Sequence, residues 1–245
     1  MIKKMLNDLT KGYRFKQALQ DDGLSIIAEI KRRSPSAGIL KSDLDISQLV
    51  CDYRDGGASC LSVLTNETLF GGSDKDLREV ARISELPILR KDFLTNFQDI
   101  EASQVMGADA VLLIVSEIEP VKLKSMHELA LKLKMDVVTE IRHSEEFELA
   151  IQAGAYMIMV NQRNQPKSQS FSVDYDKALK MRYLFNGYDE IIKIAGSGIN
   201  MTGGTNIAKL NAVGYDAALI GEALLTSADP KANLCSLLKQ ASESA

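Results

Sequence analysis

Eight short runs rich in Val, Ile and Leu recur along the chain: SIIAEI (25–30), SCLSVL (59–64), LPILR (86–90), DAVLLIV (109–115), DVVTEI (136–141), YMIMV (156–160), EIIKIA (190–195) and DAALI (216–220). They are apolar almost throughout, without the polar alternation of a half-solvated strand, so each reads as a strand covered on both faces. Between them lie segments with helical periodicity, such as DLREVARIS (76–84), EPVKLKSMHELALKLK (119–134), SEEFELAIQAG (144–154) and TNIAKLNAVG (205–214). Gly107, Gly154 and Gly214 each stand between such a helix and the next strand, where a left-handed residue is wanted. Ser144, followed by Glu145 and Glu146, reads as a helix N-cap with an acidic first turn. Strand then helix, eight times in about 220 residues, predicts α/β architecture: a single (β/α)8 TIM barrel over residues 25–245. Residues 1–24 form an N-terminal extension, with a short helix expected around 13–20. A doubly wound open sheet is the alternative topology.

Charge and composition then limit the function. With 45% apolar and 25% charged residues, the chain has the balance of a globular protein rather than a disordered or fibrous one. Its 29 Lys and Arg against 33 Asp and Glu give a net charge of −4, which argues against nucleic acid or an anionic membrane as partner. Cys51, Cys60 and Cys235 lack metal-like spacing, and only His127 and His143 supply imidazoles. No HExxH, CxxC or P-loop pattern occurs, and no apolar stretch is long enough to span a bilayer. A cytoplasmic location is expected.

In a barrel of this kind the chemistry sits at the C-terminal ends of the strands. In the first strand Ile27, Glu29 and Lys31 share one face by their period of two, and Ala28 and Ile30 face the helices. The same phase carries Leu89 to Lys91 in the third strand, Val138 to Glu140 in the fifth, and Met157 and Met159 to Asn161 in the sixth. The seventh runs into Gly196, Ser197 and Gly198. Two Lys, two Glu, an Asn and a Ser therefore converge on one mouth, a setting suited to acid and base work. Each has a plainer reading too: Glu29 with Lys31 as a structural ion pair, Asn161 as a turn cap. GSGI (196–199) and LIGEAL (219–224) put glycine turns after strands seven and eight, the usual barrel phosphate site.

These residues resemble a known family, the indole-3-glycerol-phosphate synthases of tryptophan biosynthesis. IIAEIKRRSPSAG (26–38) resembles the family's signature strand and loop. LFGGSDKDL, LPILRKDF, GADAVLLI, VVTEI, VNQRN, GSGI and LIGEALL follow in the family's order and spacing, over about residues 14–240. The resemblance implies a carboxy-lyase acting on 1-(2-carboxyphenylamino)-1-deoxyribulose 5-phosphate, with ring closure, decarboxylation and dehydration, and no cofactor or metal. It implies Lys91 as general acid, Glu140 as acid/base carboxylate, Lys31 as second lysine, Glu29 as the group orienting the ammoniums, and Asn161 and Ser197 as polar contacts. For substrate binding it implies Ser34 and Arg163 at the anthranilate carboxylate, Phe70, Phe93 and Leu112 around the aromatic ring, and Gly198, Gly221 and Glu222 with adjacent backbone at the phosphate. The partner expected is a phosphorylated small molecule. The chain is expected to be a monomer or weak homodimer, open to association with other enzymes of the tryptophan pathway.

Three departures from the family pattern stand out. Gly196 occupies a position where the family usually has Glu, which removes a carboxylate from the mouth. Gln165, followed by Pro166, replaces an apolar residue of the ring pocket. Only 24 residues precede SIIAEI, so part of the lid-like leading helix is expected to be missing. They leave open a diverged paralogue with reduced activity or a related amino-sugar phosphate substrate, or a non-catalytic barrel subunit.

Overall fold

The structure is a computed structural model and describes residues 13–20, 23–163, 172–199 and 205–243. Eight strands form the barrel: β1 (Ser25–Ile30), β4 (Cys60–Leu64), β5 (Ile88–Lys91), β6 (Ala110–Ile114), β7 (Asp136–Ile141), β8 (Met157–Asn161), β9 (Ile192–Gly196) and β10 (Ala217–Ile220). Every neighbouring pair is parallel, and the ladder closes because β1 pairs with both β4 and β10, Ile27 lying opposite Cys60 on one side and Leu219 on the other. That closure removes the open doubly wound alternative, which would have left two edges. The remaining strands, β2 (Arg33–Ser34) and β3 (Gly38–Ile39), form a small antiparallel hairpin in the loop after β1.

The period-two reading separates the core into two layers. Ile27, Cys60, Leu89, Leu112, Val138, Met157, Met159, Ile194 and Leu219 pack together inside the barrel. Ala28, Ile30, Leu61, Val63, Val111, Val137, Ile158 and Ala195 face outward into the shell of helices. The shell comprises α2 (Ile46–Asp55), α4 (Asp74–Ile83), α5 (Phe97–Met106), α6 (Pro120–Lys132), α7 (Glu146–Gln152), α8 (Lys177–Met181), α9 (Ile207–Ala212) and α11 (Pro230–Ser242). Two one-turn helices, α3 (Glu67–Phe70) and α10 (Glu222–Leu225), sit at the ends of β4 and β10. Because both strand faces are buried, the runs read as continuous apolar segments.

Local punctuation behaves as its chemistry demands. Gly107, Gly154 and Gly214 all take positive φ, at 94°, 91° and 76°, a region costly to residues with a Cβ. The start of α7 differs from expectation: Glu145, not Ser144, is its N-cap residue. The Glu146 carboxylate accepts the backbone N–H of Arg142 at 2.6 Å, and so binds the end of β7 directly to the first turn of the helix. Three strands also run one residue past the runs read from the sequence: β5 to Lys91, β8 to Asn161 and β9 to Gly196. Leu64 pairs with Lys91 and Asn161 with Gly196, so polar residues of the mouth are carried on the ladder itself.

The described part of the N-terminal extension closes the opposite end. Helix α1 (Arg14–Gln17) is shorter than the helix expected around 13–20. Its Phe15 is fully buried in the inner layer with Leu19. The Lys16 N–H donates to Asp136 Oδ2 at 2.9 Å and Arg14 Nη1 to Asp109 Oδ1 at 3.2 Å, and both acids stand at the N-terminal ends of strands. This segment is therefore a plug under the barrel rather than a lid over its mouth. Among the described residues no helix is long and apolar enough to cross a membrane.

Candidate active site

A pocket open to solvent occupies the C-terminal mouth. Its lining includes Glu29, Lys31, Ser34, Phe70, Lys91, Phe93, Leu112, Glu140, Asn161, Arg163, Ser197, Gly198, Gly221 and Glu222. Every residue to which the resemblance gives a catalytic or binding role thus lines one space, whereas Gly196 is not among the lining residues. Gln165 and Pro166 lie outside the described residues, as does the continuation of the seventh-strand turn over 200–204.

Glu29 is the centre of charge. It is 2% exposed, paired through Oε1 with Lys31 Nζ and through Oε2 with Lys91 Nζ at 3.3 Å. Burial alone would raise its carboxyl pKa, but the Lys31 and Lys91 charges and hydrogen bonds outweigh burial and hold it at about 2. A buried carboxylate with two ammonium partners is the arrangement that makes such burial tolerable. Gly221 belongs to the same geometry, because a Cβ there would collide with Glu29 Oε1. The Glu29–Lys31 ion pair considered from the sequence is real, and Lys91 completes it from two strands away.

Lys91 is aimed by its neighbours. On one side Arg90 turns outward, donating from Nε to Thr65 Oγ1 at 3.1 Å and from Nη1 to Ser103 Oγ at 3.1 Å. On the other, Asp92 accepts from Thr65 Oγ1 at 2.6 Å, from Asn66 Nδ2 at 3.2 Å and from the Phe93 N–H at 2.9 Å. The turn is held from both sides, and the Lys91 ammonium lies 5.7 Å from the centroid of the Phe70 ring, within cation–π range. Asp92 itself lines the cavity.

Across the mouth, β7 presents Glu140, which is 1% exposed, with Arg142 beside it at 3.0 Å. From β8, Asn161 Oδ1 accepts the Arg163 N–H at 3.0 Å, so it caps the turn as well as lining the pocket. Arg163 Nη1 donates to Ser36 Oγ at 2.6 Å, and Ser34 Oγ accepts the Ala37 N–H at 3.1 Å. The loops after β1 and β8 are thereby joined, with Ser34 and Arg163 on the same wall. Ser197 and Gly198 both have φ of 68°, an unusual conformation for serine. Gln162 holds that turn, donating from Nε2 to the Ser197 carbonyl at 2.8 Å. At Gly196 a Cβ would approach Met159 Sδ to 2.9 Å, so the thioether fills the space beside this glycine.

Leu64, Ile114, Leu219 and Arg142 also line the cavity and were missed in the sequence. Each lies in the inward phase of its strand, with Cys60, Leu112, Ala217 and Glu140 respectively, so extending the same alternation by two residues, or four for Leu64, would have found them. Asp92 and Ile199 arrive through turn geometry, Ile220 as the outward-phase last residue of β10 and Ala223 from α10, for which the inward strand phase gives no signal. Among the described residues no three His, Cys, Asp or Glu side chains are arranged to hold a metal ion.

The sequence profile of the indole-3-glycerol phosphate synthase family matches residues 2–237. The chain belongs to this family. An indole-3-glycerol phosphate synthase of Chlorobium luteolum is 39% identical over 226 residues, covering 91% of this chain and 84% of that protein. One from Thermoanaerobacter pseudethanolicus is 36% identical over 242 residues, covering 98% and 90%. The chain is accordingly an enzyme, a decarboxylating lyase of tryptophan biosynthesis, and a phosphorylated small-molecule substrate fits the family. Among solved structures, 3-hexulose-6-phosphate synthase from Salmonella typhimurium superposes with a TM-score of 0.69 at 13% identity, covering 91% of this chain and all of that one. KGPDC from Streptococcus mutans superposes with a TM-score of 0.67 at 9% identity, covering 91% and 99%. At that identity the likeness concerns the barrel alone.

Proposed function

We propose that the mouth of this barrel converts 1-(2-carboxyphenylamino)-1-deoxyribulose 5-phosphate to indole-3-glycerol phosphate, with Lys91 as general acid. The observation that carries this assignment is the pair of ammonium groups sharing one buried carboxylate, Lys31 and Lys91 on Glu29. In the first step the aryl carbon bearing the carboxylate attacks the sugar carbonyl carbon, and Lys91 delivers a proton to the oxygen as it becomes a hydroxyl. Loss of CO₂ returns the C–C bonding pair to the ring and restores its aromaticity. Dehydration then removes the new hydroxyl as water and a proton from the adjacent ring methylene. Glu140 takes that proton, and Lys31 assists the departing hydroxyl.

The binding groups divide by chemistry. Arg163 and Ser34 suit the anthranilate carboxylate, since an Arg fork matches a planar anion. Phe70, Phe93 and Leu112 suit the ring, and Leu64, Ile114 and Leu219 extend that apolar wall. The backbone at Gly198 and Gly221, and the first N–H groups of α10 including Glu222, suit the phosphate, because the opening N–H groups of a helix have no acceptor within it. Asn161 and Ser197 supply further polar contacts. Residues 25–245 act as one catalytic unit, as a monomer or weak homodimer.

The test is direct. Purified full-length chain is mixed with the carboxyphenylamino-deoxyribulose phosphate, and indole fluorescence and released CO₂ are followed together. One CO₂ per indole is expected; fluorescence without CO₂, or neither signal from folded protein, refutes the assignment.

A further inference from the structure

We propose that Arg142 is a positioning residue that fixes which oxygen of Glu140 faces the substrate. This rests on the reading of Glu140 as the carboxylate that moves a proton, and concerns a residue outside that set.

Arg142 continues the inward phase of β7 beyond Val138 and Glu140, and it lines the cavity while only 6% exposed. A guanidinium taken out of water to that degree needs full pairing. Its partners are unequally divided. Nε and Nη2 both meet Glu140 Oε1, each at 3.0 Å. Nη1 donates to Ser116 Oγ at 3.1 Å and to Glu117 Oε1 at 3.0 Å, in the 3-10 turn Val115–Glu117 that follows β6. The backbone N–H of Arg142 is itself held by Glu146. The guanidinium is thus a strut between the turn after β6 and the end of β7, and the Arg142 backbone is tied separately to the start of α7.

Both contacts to Glu140 fall on Oε1. Among the described residues Oε2 has no hydrogen bond or ion pair, and it is not a sealed orphan atom either. Oε2 is therefore the oxygen left to face the cavity that Glu140 lines. The terminal torsion of a glutamate is broad and roughly two-fold, so an unclamped carboxylate would exchange its oxygens and swing off line. The two-point clamp on Oε1 prevents this. All three guanidinium nitrogens are engaged by protein acceptors, which leaves Arg142 poorly placed to bind a substrate anion instead.

The experiment uses the full chain and single-turnover as well as steady-state assays on Arg142→Gln, Arg142→Lys, Glu140→Gln and the Arg142→Gln/Glu140→Gln double variant, each checked by thermal melting. Arg142→Gln is expected to lower kcat by about 10- to 100-fold, the scale of a displaced reacting group, with KM changed by less than about threefold. Arg142→Lys keeps the charge but loses the fork, and recovers part of the rate. In the Glu140→Gln background, Arg142→Gln costs less than about threefold more, since the group it positions is already gone. If Arg142→Gln does not fold, Arg142→Lys carries the same comparison in both backgrounds. An unchanged kcat, a loss confined to KM, or the same fold-loss in both backgrounds overturns the proposal. Absence of turnover by the wild-type chain overturns instead the assignment on which it rests.

Discussion

Lys91 Nζ lies 3.3 Å from Glu29 Oε2, so the ammonium assigned as general acid is held by a carboxylate two strands away. The other oxygen of Glu29 holds Lys31, and the three groups form one buried unit. Glu29→Gln keeps the shape and removes the charge, leaving two ammonium groups crowded without their counter-ion. Turnover is expected to fall about 10²–10³-fold, the scale seen when one preorganised electrostatic partner is removed. Folding stability should respond as well. Glu29 has a folded pKa of about 2 against an ordinary 4.5, so its contribution is full above pH 4.5 and is lost as pH falls toward 2. Urea titrations of the wild type and the variant should show the wild-type advantage shrinking across that window; a constant difference would contradict it.

His127 should give the protein a second acid sensitivity. It is 2% exposed, its Nε2 is buried without a partner among the described residues, and its ring stands edge-on to Tyr156. Burial lowers its pKa to about 4, so between 6.5 and 4 the unfolded chain binds the extra proton and the folded one does not. Stability contributed by His127 is therefore present above pH 6.5 and declines as pH falls to 4. In His127→Leu that part of the slope should vanish, which equilibrium unfolding between pH 4 and 7 would reveal as a flatter curve than the wild type's.

The plug at the bottom of the barrel separates stability from activity. Phe15→Ala removes a fully buried ring and is expected to cost about 3–5 kcal/mol of unfolding free energy. It should leave kcat unchanged at temperatures where the variant is folded, because α1 packs at the far end from the mouth. Denaturant melts and turnover measured on the same preparation check both halves.

Gly196 tests how tightly the mouth is packed. A Cβ there would press on Met159 Sδ at 2.9 Å, yet methionine is the side chain best able to move aside. Gly196→Ala should therefore cost about 1–3 kcal/mol, and Gly196→Glu should retain turnover once Met159 has shifted. Loss of all activity in Gly196→Glu with a normal melting temperature would show that the added carboxylate captures one of the lysines.

Much of this arrangement was legible because parallel barrel strands are buried on both faces. Ile27, Leu89 and Val138 set an inward phase that carries without a break to Lys31, Lys91 and Glu140, and the inner layer follows it. Arg142 obeys the same phase but lies beyond the last apolar residue of β7, where hydrophobic periodicity stops reporting. The role of Asp92 depends on Thr65 and Asn66 from the neighbouring strand's end, a relation of tertiary geometry. The position of α1 was equally hidden, since the sequence indicates only a short helix around 13–20 and only the closed barrel shows which end Phe15 and Leu19 fill.

The central claim is that Lys91 supplies the proton for ring closure, and turnover by Lys91→Ala measures it most directly. With saturating carboxyphenylamino-deoxyribulose phosphate and indole fluorescence as readout, the account predicts robust product formation by the wild type. It predicts a loss of about 10³-fold or more in the folded variant. A Lys91→Ala protein that forms indole-3-glycerol phosphate at the wild-type rate would contradict it.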